Sequence, residues 1–316
     1  MTKEYGVSER ETIKGPNEAD GESAAGREGD CVDQRSDRRI EGVRDVSAMD
    51  TLALARRLRC HALRMTHHAR ASHIGSCLSI ADLLAVLYGR VLKVDAMRPD
   101  WPERDRLIIS KGHAAAVVYA ALAEKGFFPV ADLDAYSADG GPLSGHVTKT
   151  VPGVELSTGS LGHGLPVAAG MALAAQRAKE GWRSFCVLSD GEMDEGSNWE
   201  AIQFAQHFRL SNLVAIVDYN KIQSFGSVAE ISDLHPLAEK FRAFNWGVHE
   251  LDGHDHDALA GALAGPPPLA GRPTAIVAHT IKGKGVSFME GRLAWHYSSP
   301  SAAQLETALA EVEAGA

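Results

Sequence analysis

The pattern of apolar residues along the chain changes at residue 45. From Val46 onward, short apolar runs alternate with segments whose apolar residues recur at helical spacing. The runs predicted as strands are RLIIS (106–110), SFCVLS (184–189), LVAIVDY (213–219), WGVHEL (246–251) and TAIVAHT (274–280). Because these runs are continuously apolar and separated by helices, they indicate a parallel sheet covered on both faces. The sequence therefore predicts a doubly wound α/β domain over residues 46–316.

Helical segments fill the intervals around the predicted strands. Before the first strand, DTLALARRLRCHALRMTHHA has apolar residues at helical spacing, and a second helix is predicted to open at Ser79. A small-residue helix in LPVAAGMALAAQRAKEG is predicted to end at Gly181. Further helices are predicted in AAAVVYAALAEKG, SNWEAIQFAQHFRL, HPLAEKFRAF, HDALAGALAG and SAAQLETALAEVEAG.

Residues 1–45 have a different composition from the rest of the chain. Twenty of them are charged and only 11 are apolar, without periodicity. Such a segment buries too little apolar surface to offset the entropy lost on ordering. We interpret it as a disordered tail outside the fold; the alternative is an arm that becomes ordered on a partner.

Composition and charge disfavour several classes of protein. No apolar run reaches the roughly 18 to 20 residues of a membrane span, and the N-terminus lacks the apolar core of a signal peptide. The net charge is −9 without a block of Lys and Arg, so a nucleic-acid partner is not expected. The four cysteines include no CxxC pair, which fits a reducing compartment. We therefore expect a cytoplasmic protein with no membrane partner.

Two predicted strand ends carry side chains that suit a cation bound to phosphate. SFCVLS runs directly into Asp190 and Gly191, and LVAIVDY runs directly into Asn220. One βαβ unit fits between Asp190 and Asn220, and its right-handed crossover makes the two strands neighbours or near neighbours. Mg²⁺ prefers oxygen ligands, of which a carbonyl near Ile222 would be a third. The alternative is a pair of ordinary turns capped by Asp and Asn.

The run DGEMDEG…LVAIVDYNKIQ resembles the thiamine-diphosphate fingerprint, in which Asp-Gly leads to Asn at a similar spacing. From about Ala48 to the end, the sequence resembles the transketolase group of that superfamily. The resemblance implies that residues 46–316 are the diphosphate-side domain and that the cofactors are thiamine diphosphate and Mg²⁺ or another divalent cation. The implied metal ligands are Asp190, Asn220 and Ile222, and the implied cofactor contacts nearby are Gly191, Glu192 and Asn220.

Four of the 14 histidines stand in strings similar to transketolase motifs. They are His73 in ASHIG, His113 in DRLIISKGH, His146 after Gly145, and His296 after KGKG. The resemblance implies that all four are catalytic. His73 and His296 would face the donor's C3 hydroxyl and move its proton, and His146 would face the C1 hydroxyl. His113 and His296 would also contact the diphosphate. Histidine suits these roles because it gives or takes a proton near neutral pH.

The glycine-rich turn TGSLGHG (158–164) precedes a predicted helix, where backbone N–H groups would receive diphosphate oxygens. It is similar to the TGxLGQG string of transketolases. It does not match GxGxxG, so binding of a nicotinamide dinucleotide is disfavoured. The residues implied to contact the cofactor here are Gly159, Ser160, Leu161 and Gly162.

The string DGHDHD (252–257) has the composition of a metal cluster. It also opens a predicted helix, where acidic and capping residues are common. We interpret it as a helix start.

The resemblance covers only the diphosphate half of a transketolase. In the superfamily, a carboxylate from a pyrimidine-binding domain drives formation of the reactive carbanion, and Glu195 resembles a catalytic glutamate of a proton network behind that carboxylate. The chain therefore resembles the N-terminal subunit of a split transketolase. A C-terminal transketolase subunit would supply the activating Glu and the substrate-phosphate site, in an expected α2β2 assembly.

Several residues depart from the transketolase pattern. Ile74 and Val147 stand where Pro is usual, His163 replaces Gln in TGxLGQG, Ser189 replaces Gly before Asp190, and Tyr297 follows His296. Because Ile74, Val147 and Tyr297 adjoin the histidines expected at the donor, the sugar (phosphate) substrates are not fixed by the sequence.

Three functions remain to be compared. The first is a transketolase subunit that transfers a two-carbon ketol unit from a ketose (phosphate) to an aldose or aldehyde. The second is a subunit of another thiamine-diphosphate enzyme, similar to deoxyxylulose-phosphate synthase or to a 2-oxo acid dehydrogenase α chain. His73 and His146 argue against the dehydrogenase, because a 2-oxo acid has no C1 hydroxyl to recognise. The third is a non-catalytic module, which an intact Asp190/Asn220 pair disfavours.

Overall fold

The computed structural model describes residues 50–315, so the tail predicted over residues 1–45 lies outside the described residues. A sheet of five parallel strands stands at the centre, in the order β1-β2-β3-β5-β4. The strands are β1 (Arg106–Ile109), β2 (Ser184–Ser189), β3 (Leu213–Tyr219), β4 (Gly247–Asp252) and β5 (Thr274–His279). The five predicted strands are therefore confirmed, with ends shifted by at most one residue.

Helices precede, connect and follow the strands. They are α1 (Thr51–His68), α2 (Ile74–Ser79), α3 (Ala81–Val86), α4 (Ala115–Lys125), α5 (Gly164–Ala178), α6 (Gly196–His207), α7 (Val228–Ile231), α8 (Leu237–Ala243), α9 (His256–Ala264) and α10 (Ala302–Ala314). None of these helices within residues 50–315 is long and apolar enough to cross a membrane.

Each central strand is buried on both faces, which explains its continuous apolar sequence. In β2, Phe185 and Val187 pack into the layer that contains α1 to α4, α9 and α10. Cys186 and Leu188 alternate with them and pack into the layer of α5, α6 and α8. The predicted α/β sheet with helices on both faces is confirmed.

Two predicted helix boundaries are wrong. The helix predicted to open at Ser79 is α3, which begins two residues later at Ala81, whereas Ser79 is the last residue of the separate helix α2. The Ser79 hydroxyl does not cap a helix but donates to the buried Asp218 carboxylate at 2.7 Å. Helix α5 ends at Ala178 rather than Gly181, because Lys179 adopts the left-handed conformation (φ 60°) that terminates it.

The pairing of β2 with β3 determines where the predicted metal ligands lie. The last paired residues are Ser189 and Asp218, so Asp190 and Asn220 leave the sheet at the same edge. This confirms that the βαβ unit between them joins adjacent parallel strands. It also places both side chains beyond the carboxyl ends of the strands, where open α/β sheets bind ligands.

Candidate functional site

A cavity of about 230 Å³ opens at this edge of the sheet. Ten of the residues singled out in the sequence line it: His73, His113, His146, Gly159, Leu161, Asp190, Gly191, Asn220, Ile222 and His296. Six further residues that the sequence patterns did not indicate also line it: Ser76, Lys111, Ser189, Gln223, Ser224 and Lys282. The fold therefore brings residues from six separate segments of the chain to one cavity.

Asp190 is a buried carboxylate whose hydrogen-bond donors are backbone amides. Its Oδ1 accepts from the Gly191 amide at 2.8 Å and its Oδ2 from the Lys221 amide at 2.5 Å. Burial, reinforced by the negative charge of Asp218, raises the pKa of Asp190 to about 7. The carboxylate would therefore gain from a cation beside it.

Asn220 and Ile222 place two more oxygens near Asp190. The Asn220 amide nitrogen donates to Asp218 at 3.1 Å, which fixes the direction of the side chain, and its Oδ1 accepts from the Ile222 amide at 3.2 Å. The Ile222 carbonyl accepts from the Lys282 ammonium at 2.9 Å, so this oxygen already faces a positive charge. One carboxylate, one carboxamide and one carbonyl form a set of hard oxygen donors that fits Mg²⁺.

A buried ion pair lies beneath these ligands. The Lys111 ammonium is bonded to the Asp218 carboxylate, and both side chains are fully buried. Asp218 also accepts from the hydroxyls of Ser79 and Thr280. Burial by itself raises the pKa of Asp218, but Lys111 and these donors lower it overall. Asp218 is therefore a fixed anion that orients Asn220.

The four predicted histidines form one cluster. The ring of His73 lies 5.2 Å from that of His113, 5.8 Å from His146 and 5.0 Å from His296, measured between centroids. The rings of His113 and His296 are 5.8 Å apart. His73 has a left-handed backbone (φ 75°) just before α2, which turns the chain into the cavity.

Three of these histidines are neutral at neutral pH. Burial, with the nearby His146, Lys282 and Lys111, lowers the pKa of His73 to about 4. Burial and the Lys282 charge lower the pKa of His296 to about 3, and burial holds the pKa of His113 well below 6.5. Neutral imidazoles each offer one donor and one acceptor, so the cluster can hold and pass protons between hydroxyl groups.

The glycine-rich turn is joined through Glu192 to the end of β2, next to Asp190. Gly159 and Leu161 line the cavity, whereas Ser160 and Gly162 do not. The Gly162 amide donates at 2.8 Å to the Glu192 carboxylate, which also accepts from the Ser110 hydroxyl and the Ser189 amide. Glu192 is fully buried and does not line the cavity. The structure thus places it as a link between loops.

Glu195 lies outside the cavity, exposed at the N-terminus of α6. It stands beside the glycine-rich turn, since a Cβ added to Gly162 would come within 2.6 Å of the Glu195 Cβ. Gly162 also has φ +84°, so only glycine fits there. The exposed position of Glu195 suits a contact with another chain.

Two buried lysines are the main functional residues that the sequence patterns did not indicate. Lys282 is 2% exposed, and its ammonium donates to the Ile222 carbonyl and to His296 Nδ1 at 3.0 Å. Burial and the like charge of Lys111 lower its pKa to about 8. Lys111 stands two residues before His113 in SKGH, and Lys282 begins the string KGKG, 14 residues before His296. Only the fold shows that both cations are buried at the cavity, Lys111 paired with Asp218 and Lys282 bonded to a carbonyl and a histidine.

The interpretation of DGHDHD as a helix start is confirmed. The Asp255 side chain accepts from the amides of Asp257 and Ala258 in the first turn of α9. Over residues 50–315, no group of three or more His, Cys, Asp or Glu side chains has the arrangement of a metal site. His254 and His256 instead bond to the buried Asp82 carboxylate.

The comparison with protein families gives one match over most of the chain. The model of the transketolase thiamine diphosphate binding domain matches residues 51–312. The chain belongs to the transketolase family. The resemblance found in the sequence is thereby confirmed, and so is a thiamine-diphosphate-binding fold.

Curated components of split transketolases are similar to this chain over most of their length. A 6-deoxy-6-sulfo-D-fructose transketolase subunit of Clostridium sp. (strain MSTE9) is 46% identical over 76% of this chain and 88% of the relative. An apulose-4-phosphate transketolase subunit of Phocaeicola vulgatus is 38% identical over 84% of this chain and 94% of the relative. These matches confirm the prediction of an N-terminal transketolase subunit in a ketol-transferring enzyme.

Single-chain transketolases match the same region but extend well beyond it. The structure of transketolase from Leishmania mexicana aligns with a TM-score of 0.75 and 32% identity, covering 84% of this chain and 41% of that chain. The present chain thus spans about two fifths of that transketolase. The match supports the first of the three functions considered from the sequence.

The departures from the transketolase pattern lie in different settings. Ile74 and Val147 are buried in the core. Ser189 lines the cavity. Tyr297 is 58% exposed, and its hydroxyl donates to the Ser224 carbonyl at the cavity edge. His163 lies outside the cavity lining, at the start of α5. Among the five, Ser189 and Tyr297 are therefore best placed to affect the substrate.

Proposed function

We propose that this chain binds the diphosphate end of thiamine diphosphate with a divalent cation and, with a separate pyrimidine-side subunit, transfers a two-carbon ketol unit from a ketose to an aldehyde. The observation that carries the proposal is the convergence of oxygen ligands, two buried lysines and four histidines on one cavity. This combination matches a phosphorylated cofactor beside a polyhydroxylated substrate.

In this proposal, Asp190, Asn220 and the Ile222 carbonyl hold Mg²⁺. Burial and the negative charge of Asp218 raise the pKa of Asp190, and a bound cation would stabilise its carboxylate. Mg²⁺ usually takes its remaining ligands from phosphate and water. Lys282 stands on the cavity wall, where its ammonium would neutralise part of the remaining diphosphate charge, whereas Lys111 is already paired with Asp218.

The glycine-rich turn and His113 would complete the diphosphate contacts. Gly159 and Leu161 reach the cavity, and Glu192 holds the turn against the metal edge through the Gly162 amide. When bound, thiamine diphosphate supplies a nucleophilic carbon that attacks the carbonyl of the donor. The residues of this chain position that group and exclude competing contacts.

The histidines would move protons on the donor's hydroxyl groups. His296 Nδ1 accepts from the Lys282 ammonium, so the ring proton of neutral His296 sits on Nε2. His73 Nδ1 is engaged with the Ser72 hydroxyl at 3.0 Å, which leaves its Nε2 available. We propose that these two Nε2 atoms serve the C3 hydroxyl, and that His146 serves the C1 hydroxyl.

A partner subunit is needed to close the site. The cavity of about 230 Å³ is smaller than the roughly 300–1,000 Å³ of sites that enclose a drug-sized ligand. We propose that a pyrimidine-side subunit covers it and supplies the activating carboxylate, with Glu195 at the junction, in an α2β2 assembly. The names of the relatives favour an anionic ketose as donor, carrying either a phosphate or a sulfonate.

Cofactor binding tests the proposal. The chain is mixed with a C-terminal, pyrimidine-side transketolase subunit, and thiamine diphosphate is titrated calorimetrically with Mg²⁺ or with excess chelator. We expect saturable binding that requires Mg²⁺. Binding of equal affinity without a divalent cation would contradict the proposed metal site, and the absence of binding would contradict the proposed function.

A further inference from the structure

A buried carboxylate behind the cavity accepts four hydrogen bonds. Asp82, in α3, is 5% exposed. The Arg59 guanidinium donates to it twice, from Nη1 to Oδ1 at 3.0 Å and from Nη2 to Oδ2 at 2.5 Å. His254 Nδ1 lies 2.7 Å from Oδ2, and His256 Nε2 lies 3.1 Å from Oδ1. So many donors hold the carboxylate in one orientation.

Two of these donors also reach the loop that carries Lys282. The Ile281 amide donates to His254 Nε2 at 2.9 Å. Because Nε2 is an acceptor, the neutral His254 ring donates from Nδ1 to Asp82. At the other end of the loop, Arg59 Nε donates to the Lys284 carbonyl at 3.1 Å. One carboxylate therefore fixes both sides of Lys282; we name Arg59, Asp82 and His254 the Asp82 clasp.

Lys282 depends on the position of this short loop. Its ammonium reaches the Ile222 carbonyl at 2.9 Å and His296 Nδ1 at 3.0 Å. A displacement of the loop by about 1 Å would lengthen both contacts beyond hydrogen-bond range. The Gly283 amide adds one backbone contact, to the Gly75 carbonyl at 3.0 Å. The Gly291 amide also donates to the Lys282 carbonyl at 2.9 Å, and Glu290 accepts from the Gly285 amide at 3.0 Å. The side-chain bonds to the backbone of Ile281 and Lys284, the two residues nearest Lys282 that have such bonds, come from the clasp.

We infer that the Asp82 clasp positions the Lys282 ammonium and thereby sets the affinity of the site for a diphosphate. Arg59, Asp82 and His254 are positioning residues that act through Lys282. This inference rests on the proposed function in its assignment of Lys282 to a diphosphate. The hydrogen bonds of the clasp to the loop stand independently of that assignment.

His256 provides a matched control. It bonds to the same carboxylate, at 3.1 Å, but its other nitrogen pairs with the Thr51 hydroxyl at 2.8 Å. Among the described residues, its ring has no hydrogen bond to residues 281–284. A purely structural role for Asp82 would make His254 and His256 similar, whereas the clasp makes them different.

The first measurement is hydrogen–deuterium exchange of the full chain without ligand, read by mass spectrometry on peptides that contain residues 281–285. We expect faster exchange there in His254→Ala and Asp82→Asn than in wild type, and wild-type exchange in His256→Ala. Unchanged exchange in both clasp variants, or equal increases in His254→Ala and His256→Ala, would overturn the clasp.

The second measurement is a double-mutant cycle with Lys282→Met, read as the affinity of the full chain for inorganic pyrophosphate with Mg²⁺. We expect His254→Ala to weaken binding about tenfold when Lys282 is present and less than about twofold in the Lys282→Met background. His256→Ala should stay within about twofold of its parent in both backgrounds. Equal losses with and without Lys282 would overturn the positioning role.

The two measurements test the Asp82 clasp and the proposed function independently of each other. If the wild-type chain binds no pyrophosphate, the assignment of Lys282 to a diphosphate fails, and exchange at residues 281–285 still decides whether the clasp holds the loop. If His254→Ala does not fold, Asp82→Asn is measured in the same cycle, because the amide keeps the shape of the carboxylate.

Discussion

The Lys282 ammonium donates to His296 Nδ1 at 3.0 Å, and this bond joins a buried cation of the cavity to the cluster of four histidines. It holds the His296 proton on Nε2 and keeps the ammonium within 2.9 Å of the Ile222 carbonyl. The affinity for an anion and the protonation state of a histidine therefore depend on the same side chain.

Removing the Lys282 charge should reduce the affinity for the cofactor more than it reduces the free energy of unfolding. In Lys282→Met the stem is kept and the ammonium is lost, so we expect affinity for thiamine diphosphate, at saturating Mg²⁺, to fall at least about tenfold. Lys284→Met is the control, because its ammonium pairs 3.5 Å away with Glu290 outside the cavity. Similar affinities for the two variants, measured by calorimetry on the assembled enzyme, would contradict the role given to Lys282.

Asp190→Asn should abolish stabilisation by the metal without destabilising the metal-free chain. Burial raises the pKa of this carboxyl to about 7, so replacing it by a neutral amide removes a poorly compensated charge. We expect the melting temperature without ligand to change little, because loss of the buried charge is offset by loss of one acceptor for the Gly191 and Lys221 amides. The stabilisation by Mg²⁺ with thiamine diphosphate, about 2.7 kcal/mol at a hundred times Kd, should be lost.

The exposed Asp194 is the control for this variant. Its carboxylate bonds to Gln223 at 3.0 Å and does not line the cavity. Asp194→Asn should keep the full ligand-induced shift in melting temperature. The metal assignment would be wrong if Asp190→Asn kept that shift too.

Glu192 should contribute to stability through the donors that it satisfies. Its carboxylate accepts from the Gly162 and Ser189 amides and from the Ser110 hydroxyl, all at buried positions. Glu192→Ala leaves these donors without an acceptor, and we expect the free energy of unfolding to fall by about 3 kcal/mol. Urea unfolding measures this change, with Glu200→Ala, an exposed residue in α6, as the reference. A loss no larger than that of Glu200→Ala would contradict the linking role.

His73 should make stability depend on pH in the weakly acidic range. Burial, aided by nearby positive charge, lowers its pKa from 6.5 to about 4, so the unfolded chain binds the proton more readily than the folded chain. As the pH falls from 7 to 5, the free energy of unfolding should therefore decrease. Because the ring is only partly buried, we expect about 1 kcal/mol from His73 after solvent screening.

Urea unfolding at pH 7, 6 and 5 tests this contribution. His73→Asn should lose less stability than wild type over that range, whereas His207→Asn, at the exposed end of α6, should follow the wild-type curve. An identical pH dependence in wild type and His73→Asn would show that the pKa of His73 is not lowered by folding.

The sequence predicts the sheet well because β1, β2, β3 and β5 are largely buried and so read as nearly unbroken apolar runs. The edge strand β4 is partly exposed and includes polar residues. The adjacency of Asp190 and Asn220 also follows from the sequence, since a single βαβ unit separates them. The clustering of the four histidines does not follow from the pattern of apolar residues, because their loops are far apart along the chain. Only the resemblance to transketolases predicts that they share one site.

The sequence does not reveal the buried charges. Lys111, Lys282 and Asp82 belong to residue types that are almost never fully buried without partners, and those partners lie far away along the chain. Lys111 is compensated by Asp218, and Asp82 by Arg59 and His254. The start of α3 differs from the prediction for a related reason. Ser79 resembles an N-cap in the sequence, but its hydroxyl donates to Asp218 across the core and the helix begins at Ala81.

The most direct test of the central claim is reconstitution of activity. The chain and a C-terminal, pyrimidine-side transketolase subunit are assayed separately and together, with thiamine diphosphate and Mg²⁺, for two-carbon transfer to an aldose phosphate. Xylulose 5-phosphate, apulose 4-phosphate and 6-deoxy-6-sulfofructose are compared as donors. The account predicts turnover of at least one donor by the mixture and none by either component on its own. Turnover by this chain alone, or cofactor binding by the mixture without transfer from any ketose, would contradict it.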